Sequence, residues 1–525
     1  MKDITFKDEA RQKLVQGVEK LTDAVKVTMG PRGRNVLIQR GIQKPFITKD
    51  GVTVAQEIFL KDPVQNMAAQ LVKEVSGNVA YEAGDGTTTA TVLTNSIFKE
   101  GMKYVIAGAH PVALKKSIDE SVKEIISELK KNSKEITNEI EVQQIATISA
   151  NGDEDIGEMI SNAIKEVGVD GSVTVDEGTG TSDVLEIVDG MKIDRGYISS
   201  HFINNKEKGN CEIINPYVLS MDSKISNLGE ILHILEQVQQ EKRPLVIFCD
   251  DVDSEPLSTI IVNKLRGIID LYPVKAPGFG EGKENTLLDI AVSTGGEFIS
   301  KDGAYPLISI GLSELGEAEK IIIDKDSTVI IGGKGSEEKI KEHVALIKKQ
   351  IEQTDPGHKQ DKLKERVSKF SGGVAVIKVG AMTEVEMIER RDRIEDAIGS
   401  TKAAIEEGIV IGGGCALAHA SKILKEEFSG KENDMGISII KKAILAPLHC
   451  ISENSGLNSG IVENTVIGYD DVNIGFNART ETYENLFDSG VIDPLKVTRL
   501  ALENAASVAG MLLTTECTIN ETKED

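Results

Sequence analysis

The N-terminal part of the chain has apolar residues at the spacing of α-helices. They recur every three or four positions over residues 10–25 and again over 67–79, and residues 112–131 carry the same pattern. This period keeps the apolar side chains on one face of a helix. The pattern therefore predicts a largely helical N-terminal region.

Near Gly171 the pattern changes to strands with helices between them. "SVTVDEG" and "VLEIVDG" are strand-like, and the apolar run in "RPLVIFCDD" (243–251) is typical of a buried parallel strand. Helical patterns at 226–240 and 255–269 flank this run, "AEKIIIDKDSTVII" predicts a hairpin, and 336–369 predicts a long charged helix. The middle region is therefore predicted to be an α/β domain.

The C-terminal part returns to helix. Residues 371–380 are strand-like, and helical patterns follow from residue 390, interrupted by three glycines at 412–414. This order predicts an α/β domain inserted into a helical domain, so that the two ends of the chain meet. A length of 525 residues suggests about three or four domains.

Composition excludes several classes of partner and site. A net charge of −24 argues against nucleic acid or an anionic membrane as the main partner. The five cysteines are widely spaced without a Cys-x-x-Cys pair, which favours a reducing cytoplasm over a disulfide framework or a zinc site. The N-terminus has no apolar signal segment. The longest weakly polar run, 408–418, is far short of the roughly 20 residues that span a bilayer.

The stretch "AYEAGDGTTTATVL" (80–93) carries the first candidate chemistry. It joins two predicted helices, so Thr87 to Thr89 are expected at a helix N-terminus, whose N–H groups suit a phosphate. Asp85, between Gly84 and Gly86, offers the oxygen ligand that Mg²⁺ prefers. The alternative is a threonine cap after a glycine turn, and this stretch alone leaves both open. The chain has no Walker A motif, so a nucleotide site here is not a P-loop.

Three further glycine-rich loops are candidates for the same site. They are "TMGPRGRN" (28–35), "ITKDGVTVA" (47–55) and "IEEGIVIGGGCALAHA" (405–420). The Lys49-Asp50-Gly triplet is by itself more typical of a hairpin turn. Three successive glycines weaken a structural element, so at 412–414 a close approach to a ligand is the better explanation. The four loops would converge on one polyphosphate.

Two apolar stripes lie on the helices predicted at 226–240 and 255–269. The first consists of Leu228, Ile231, Leu232 and Leu235, and the second of Leu257, Ile260, Ile261 and Leu265. Packing on the domain's own sheet explains most of these residues. The stripes are nevertheless wider than one buried face needs, and an exposed remainder would mark an interaction site.

Taken together, these motifs resemble the group I chaperonins, the GroEL family. The resemblance runs from about residue 2 to 518. The segments that carry it are "VKVTMGPRGRNV", "TKDGVTVA", "AGDGTTTATVL", "TISAN", "VKAPGFG", "GGVAVIKVGAMTEVEM", "EDAIGSTKAAIEEGIVIGGG" and "ASVAGMLLTTE". "VKAPGFG" and "AAIEEGIVIGGG" favour group I over the archaeal and eukaryotic group II type.

The resemblance implies a multi-domain fold of α/β and α parts. Both chain ends would form a mostly helical equatorial domain, joined through a small α/β intermediate domain to an inserted α/β apical domain. The implied boundaries are 1–131 (equatorial), 132–188 (intermediate), 189–374 (apical), 375–406 (intermediate) and 407–525 (equatorial).

The resemblance also implies an activity. Members bind non-native polypeptides on apical apolar surfaces and fold them inside a ring cavity, with a GroES-like co-chaperonin as lid. Binding and hydrolysis of ATP with Mg²⁺, and with K⁺ as a further cation, would drive the cycle. The chain is thus expected to be a cytoplasmic ATPase that forms homo-oligomeric rings, heptameric in the family, as one ring or two.

Site residues follow from the resemblance, position by position. Asp50 and Asp396 are the implied hydrolytic carboxylates, with Asp396 brought in by the intermediate domain to position water. Asp85 would hold Mg²⁺. The implied nucleotide contacts are Thr28, Met29, Gly30, Pro31, Lys49, Gly86, Thr87, Thr88, Thr89, Ile148, Ser149, Gly413, Asn477, Ala478, Arg479 and Asp493. The implied face for clients and co-chaperonin is Tyr197, Phe202, Leu232, Leu235, Leu257, Ile261 and Val262.

The chain departs from the family pattern at several positions. His201 stands where tyrosine is common, and Arg479 replaces a small residue in the nucleoside loop. His449 and Asn458 stand where a ring-to-ring ion pair often lies, which suggests weakened ring-ring coupling. The sequence ends in "NETKED" without the family's Gly-Gly-Met tail. These changes suggest a divergent member.

Two other functions compete with the chaperonin hypothesis. A soluble ATPase or phosphotransferase acting on a small molecule would explain the glycine loops but not the apolar stripes. A chaperonin-fold oligomer that lost turnover would explain the fold, but the presence of Asp50, Asp85 and Asp396 argues against it.

Overall fold

The computed structural model divides the chain into two compact units. The split unit comprises Met1–Ser161 and Ala381–Asp525, and the inserted unit is Asn162–Gly380. The residues described are 2–39, 45–136, 138–150, 152–168, 171–178, 180–206, 208–278, 280–301, 307, 310–353, 358–371, 373–425 and 432–521. The predicted insertion of an α/β part into a helical part is confirmed, whereas the finer five-segment boundaries stay a prediction.

Helices dominate the split unit, and those between residues 232 and 371 belong to the inserted unit. In chain order the helices are α1 (Lys7–Val25), α2 (Gly51–Gln56), α3 (Pro63–Ala83), α4 (Thr87–Ile106), α5 (Pro111–Lys131), α6 (Glu139–Ser149), α7 (Glu154–Val167), α8 (Leu232–Glu241), α9 (Ser254–Leu265), α10 (Glu281–Thr294), α11 (Glu337–Gln353), α12 (His358–Ser371), α13 (Glu384–Glu407), α14 (Cys415–Ala420), α15 (Glu432–Ala443), α16 (Ala446–Asn454), α17 (Ser459–Gly468) and α18 (Leu495–Thr514).

Strands concentrate in the inserted unit, which contains those between residues 172 and 379. In chain order they are β1 (Lys2–Phe6), β2 (Val36–Ile38), β3 (Phe46–Thr48), β4 (Ser172–Glu177), β5 (Val184–Val188), β6 (Gly190–Ile193), β7 (Cys211–Ile214), β8 (Tyr217–Met221), β9 (Leu245–Cys249), β10 (Leu271–Lys275), β11 (Phe298–Ile299), β12 (Gly316–Ile323), β13 (Thr328–Gly333), β14 (Val374–Val379), β15 (Ile409–Ile411), β16 (Ile474–Asn477), β17 (Thr482–Asn485), β18 (Ile492–Pro494) and β19 (Cys517–Glu521).

The core of the split unit is built from the predicted apolar helix faces. α1 buries Leu14, Val18 and Leu21, which recur at helical spacing, and α3 lies alongside it. α18, from the C-terminal part, packs against α3, α4 and α5 from the N-terminal part. The two segments of this unit therefore share one hydrophobic core.

The two ends of the chain pair as strands. β1 and β19 run antiparallel, from Lys2 opposite Glu521 to Phe6 opposite Cys517. This pair confirms the expectation that the ends meet. The final residues, 522–525, which end "NETKED", lie outside the described part of the chain.

The inserted unit contains two sheets. The larger has the order β10-β9-β8-β12-β13-β6, with β7 beside β12 and β11 beside β8, and the smaller has the order β4-β14-β5. β9 is parallel to both β8 and β10 and all five of its residues are buried, as its apolar sequence predicts. β12 and β13 form the predicted hairpin.

Two predicted helices differ in the structure. The pattern at 226–240 starts with a 3₁₀ turn, Leu228–Glu230, capped by Asn227, and α8 begins only at Leu232. Asn227 favours this turn because its side chain accepts the N–H of Gly229, and glycine is a poor helix former. The charged stretch 336–369 forms two helices, α11 and α12, and the sequence between them includes Pro356-Gly357.

One helical stretch passes a membrane-span test by length and composition. Asp434–Asn454, which covers most of α15 and all of α16, has a mean hydropathy of 1.3. Its apolar residues Ile439, Ile440 and Ile444 are buried in the core of the split unit. The core helices of a compact domain pass the same test.

Candidate functional site

The turn between α3 and α4 is built on two glycines. Gly84 ends α3 at φ 74° and Gly86 precedes α4 at φ 92°, both in the left-handed region that glycine tolerates. A Cβ on Gly84 would lie 2.4 Å from the Cα of Gly399, and one on Gly86 would lie 2.6 Å from Cγ1 of Val497. Only glycine therefore lets this turn approach α13 and α18. Asp85 lies in the turn, between the two glycines.

α4 begins at Thr87, as the sequence predicts, but no threonine caps it. Its N-cap is Gly86, and no side chain within the described residues accepts a hydrogen bond there. Thr87 is buried, whereas Thr88 and Thr89 are half-buried. The threonine-cap alternative is therefore wrong for this helix. The N-terminal end of α4 presents backbone N–H groups beside Asp85, an arrangement suited to phosphate oxygens.

Asp50 lies at a helix start rather than in the hairpin turn typical of its triplet. Its carboxylate accepts the N–H groups of Val52 at 3.1 Å and Thr53 at 2.7 Å, which caps α2. A Cβ on Gly51 would lie 2.1 Å from Oγ1 of Thr88, so this loop lies directly against the start of α4. Lys49 is exposed.

α13 brings three further polar groups to the α3–α4 turn. Asp392, Asp396 and Ser400 follow one another at intervals of four residues, so they lie on one face of the helix. The Ser400 hydroxyl donates to the Asp85 carboxylate at 3.3 Å, across 315 residues of sequence. Asp396 therefore lies one turn from a residue that touches Asp85.

The carboxyl groups here take up protons more readily than isolated ones. Burial, together with the charges of Asp85 and Asp50, raises the pKa of Asp396 well above its usual range. Burial also raises the pKa of Asp85, with the charge of Asp50 adding to it and hydrogen bonds from Gly86 and Ser400 opposing it. Burial raises the pKa of Asp392 to about 6, against the opposing charge of Arg391. The charges of Asp50, Asp85 and Asp392 all act on Asp396, so the protonation of one carboxyl group affects that of the others.

Solvent still reaches the side chains of Asp85 and Asp396. Protein nevertheless surrounds both closely enough that burial raises the pKa of each. We call the region around these carboxyl groups, where the α3–α4 turn meets α13, the cleft. The cleft is negatively charged, which suits a cation more than a bare anion.

A second glycine turn forms another wall of this cleft. Gly413 and Gly414, at φ 67° and 76°, join β15 to α14. A Cβ on Gly412 would lie 3.1 Å from Oδ1 of Asp493, a residue of the neighbouring strand β18. Burial and the charge of Asp85 raise the pKa of Asp493 to about 7, although the Gly413 N–H bonded to it opposes the shift. The predicted glycine loop and Asp493 are therefore neighbours of Asp85.

The β16–β17 hairpin carries the predicted nucleoside residues. Asn477 and Ala478 are buried, and Asn477 donates to Glu484 at 2.7 Å and accepts the Arg479 N–H at 3.0 Å. The carbonyl of Phe476 lies 3.7 Å from a Cβ position on Gly413. The hairpin thus adjoins the 412–414 turn.

Two other predicted segments reach the same walls. Met29 belongs to the hydrophobic cluster that contains Phe476 and Ala478. Thr28 is buried, Gly30 has φ 81°, and Pro31 is exposed. The half-buried Ile148 packs against the cluster that contains Ile409 of β15 and Ile492 of β18, and Ser149, also half-buried, ends α6.

Sequence reasoning missed three residues of this site. Ser400 and Asp392 lie on the Asp396 face of α13, and the four-residue spacing in "DRIEDAIGS" (392–400) was the available signal. Asn454 donates to the carbonyls of Lys26 and Met29, at 2.9 Å each, and holds the 26–31 loop. No sequence motif indicates that role.

The predicted client face is partly exposed. Leu232 on α8 is 51% exposed and Val262 on α9 is also exposed, whereas Tyr197, Leu235, Leu257 and Ile261 are half-buried against the core. Leu265, one turn beyond Ile261, is 69% exposed and extends the face. Of the eight residues in the two stripes, only Ile231 and Ile260 are fully buried. The stripes are therefore wider than packing needs.

Phe202 does not belong to this face in the structure. Its side chain is 1% exposed and packs in the core with its ring centroid 6.4 Å from that of Tyr272. The prediction assigned Phe202 to the exposed face because a resemblance carries over the position of a residue in the sequence but not the burial of its side chain. The neighbouring His201 is exposed, and its Nδ1 lies 3.0 Å from the Ser199 hydroxyl.

Asn458 and His449, which stand where the family often has a ring-to-ring ion pair, have hydrogen-bonding partners nearby in the chain. Asn458 caps α17 by accepting the N–H groups of Gly460 and Ile461. His449 Nε2 lies 2.7 Å from the Glu463 carboxylate. Both side chains are thus engaged within the split unit.

Among the described residues, no cluster of three or more His, Cys, Asp or Glu side chains is arranged to hold a metal. Asp85 immediately precedes the α4 N-terminus, and the Asp50 loop lies against the same helix start. This fits Mg²⁺, which commonly takes one or two carboxylates and fills its other positions with water and phosphate oxygens.

Comparisons with known proteins agree with the fold. The family model described as the TCP-1/cpn60 chaperonin family matches residues 21–523. Two crystal structures of the chaperonin gp146 from the bacteriophage EL 2 (Pseudomonas aeruginosa), both in the presence of ATP-BeFx, have TM-scores of 0.70 and 0.63. Each is 21% identical in sequence, and each match covers 99% of both chains. At that identity the likeness concerns the fold alone.

Proposed function

The chain belongs to the TCP-1/cpn60 chaperonin family, and we propose that it is an ATP-hydrolysing chaperonin of the GroEL type. It captures non-native polypeptides on the apolar face of the inserted unit and encloses them in a ring of identical chains, with a GroES-like co-chaperonin. The observation that supports this proposal is the hydrogen bond from Ser400 of α13 to Asp85, because Asp396 lies one helical turn before Ser400 on the same face of α13.

The residues of the cleft divide the chemistry among them. The α4 N-terminus and the neighbouring threonine hydroxyls would bind the phosphates, and Asp85 would hold Mg²⁺, which would neutralise phosphate charge. Asp396 accepts a hydrogen bond from the attacking water and orients it. Asp396 can accept a proton only when it is ionised, and a cation held by Asp85 would favour that ionised form.

Asp50 supports this arrangement from the other side. Its carboxylate is already engaged by two backbone N–H groups, so it is fixed in position. We assign it the role of orienting groups around the phosphates together with Lys49. The walls at 28–31, 148–149, 413 and 477–479, with Asp493, would bind the nucleoside.

ATP turnover by Asp396→Ala tests the proposal. We expect nucleotide binding to survive and hydrolysis to slow at least about tenfold, which is roughly 1.4 kcal/mol of barrier. Glu406→Gln is the matched control, because it removes a carboxylate of the same helix that pairs with Lys496 at the surface. Unchanged turnover in Asp396→Ala would contradict the role of Asp396.

Electron microscopy with and without ATP tests the assembly. We expect rings, with sevenfold symmetry as in the GroEL family, and a change of the ring on addition of ATP. A chain that stays monomeric would favour the competing small-molecule ATPase. A ring without turnover would favour an oligomer that has lost hydrolysis.

A further inference from the structure

The hydroxyl of Ser400 points out of α13 to the carboxylate of Asp85. The Ser400 Oγ lies 3.3 Å from the Asp85 Oδ2, and Ser400 is 1% exposed. A hydroxyl side chain inside a helix often bonds the carbonyl one turn before it. The next residue does so, since the Thr401 hydroxyl donates to the Ala397 carbonyl at 2.6 Å. Ser400 is therefore a buried donor that is directed at another segment of the chain.

Ser400 and Gly86 together hold both oxygens of the Asp85 carboxylate. The Gly86 N–H donates to Oδ1, and the Ser400 hydroxyl donates to Oδ2. Burial raises the pKa of Asp85, and both hydrogen bonds oppose that rise because each stabilises the charged form. With one donor on each oxygen, the plane of the carboxylate is fixed, and each oxygen keeps a further lone pair for a cation.

The backbone beside Ser400 packs directly on the same turn. A Cβ on Gly399 would lie 2.6 Å from the Cα of Gly84 and 3.3 Å from its carbonyl carbon. This contact between two backbones sets the separation of Ser400 from Asp85. The hydrogen bond therefore joins two short side chains on backbones that touch, which makes it a suitable device for orienting a carboxylate.

From this geometry we propose that Ser400 is a positioning residue, which orients Asp85 for the divalent cation of the bound nucleotide. Ser400 acts through the carboxylate and touches neither the cation nor the nucleotide. Removal of such a partner of a metal ligand commonly lowers metal affinity about 10- to 100-fold. The inference rests on the proposed function, in which Asp85 holds Mg²⁺.

Loss of this hydroxyl should leave the fold intact. Ser400 lies inside α13, a helix of 24 residues, and alanine is a better helix former than serine. The side chain is small, so Ser400→Ala removes one oxygen atom and leaves the packing of the Gly399 backbone in place. The variant therefore reports on the carboxylate of Asp85 rather than on folding.

Calorimetric titration of the full chain with ADP, once with Mg²⁺ and once with EDTA, tests this role. With Mg²⁺, Ser400→Ala should bind ADP about five- to tenfold more weakly than the wild type, because a neutral hydrogen bond at this distance acts near the lower end of the range. In EDTA the two affinities should be equal. Thr401→Val is the matched control, since it removes a buried hydroxyl of the same helix that is bonded within the helix. It should bind ADP as the wild type does in both conditions.

A second variant separates the hydrogen bond from the size of the side chain. Ser400→Cys fills the same space, but its S–H group is a weak donor. We expect its affinity for ADP with Mg²⁺ to resemble that of Ser400→Ala. Wild-type affinity in Ser400→Cys would show that size is what matters, and the positioning role would be refuted.

The remaining outcomes distinguish this inference from the proposed function. If Mg²⁺ strengthens ADP binding by the same factor in the wild type and in Ser400→Ala, the positioning role is refuted while the nucleotide site stands. Equal weakening of Ser400→Ala with Mg²⁺ and with EDTA would show that Ser400 supports the site as a whole, which also refutes it. A wild type whose ADP affinity does not respond to Mg²⁺ would overturn the cation role of Asp85 and the inference with it. If the wild type binds no ADP, the proposed function itself fails.

Discussion

Asp493 is a residue whose ionisation is opposed by its surroundings. Its pKa is raised to about 7 by burial and by the charge of Asp85. A carboxyl group whose pKa is higher in the folded than in the unfolded chain gains protons on folding. The free energy of unfolding of the nucleotide-free protein therefore falls as the pH rises from about 4 to about 7.

Asp493→Asn should remove this dependence at its source. Because the variant carries no ionisable group there, we expect it to raise the Tm of the nucleotide-free protein by a few degrees at about pH 8 and by less at about pH 5. Asp488→Asn, at an exposed position of the same segment, is the control. An equal shift at both pH values would show that the charge of Asp493 is not what destabilises the site.

α13 is the element on which the site depends. Its Asp392, Asp396 and Ser400 face the α3–α4 turn, and Gly399 lets the two backbones touch. The position of the whole helix, rather than of one side chain, therefore sets where Asp396 lies.

Gly399→Ala should displace α13 relative to the α3–α4 turn. The added methyl would lie 2.6 Å from the Cα of Gly84, a backbone atom that cannot move cheaply. We expect ATP turnover to fall between about tenfold and a hundredfold, the range for a misplacement of about 1 Å. Gly77→Ala in α3 is the control, since a Cβ there meets nothing within 4 Å and alanine favours a helix. Full turnover by Gly399→Ala would show that the contact is dispensable.

The elements of the fold were predictable where local pattern decides them. α1, β9 and the β12–β13 hairpin follow from apolar periodicity, and α4 begins at Thr87 as its glycine turn indicates. Phe202 and the start of α8 were predicted wrongly, because tertiary packing decides burial and the Asn227 cap decides the helix start. Ser400 and Asn454 escaped prediction because their partners lie hundreds of residues away.

At the scale of the whole molecule, the proposed capture of clients and the proposed hydrolysis of ATP belong to different units. The apolar face lies on α8 and α9 of the inserted unit, and the cleft lies in the split unit. The two activities should therefore be separable by substitution.

Leu232→Ser should abolish capture of a chemically unfolded test protein, measured as suppression of its aggregation by light scattering. The reason is loss of an apolar side chain that is 51% exposed at the centre of the face. Parallel measurement of ATP turnover reports whether the cleft is intact. Leu346→Ser, at an exposed leucine of α11 outside this face, is the matched control. Persistent capture by Leu232→Ser would show that clients bind elsewhere.

The pairing of β1 with β19 has a consequence for synthesis on the ribosome. The first strand to emerge has no partner until the strand at residues 517–521 has been translated. The inserted unit, by contrast, is one continuous segment, all of which emerges before the second half of the split unit. The unit that carries the apolar face can therefore fold first. The split unit closes only once residues 517–521 have been translated.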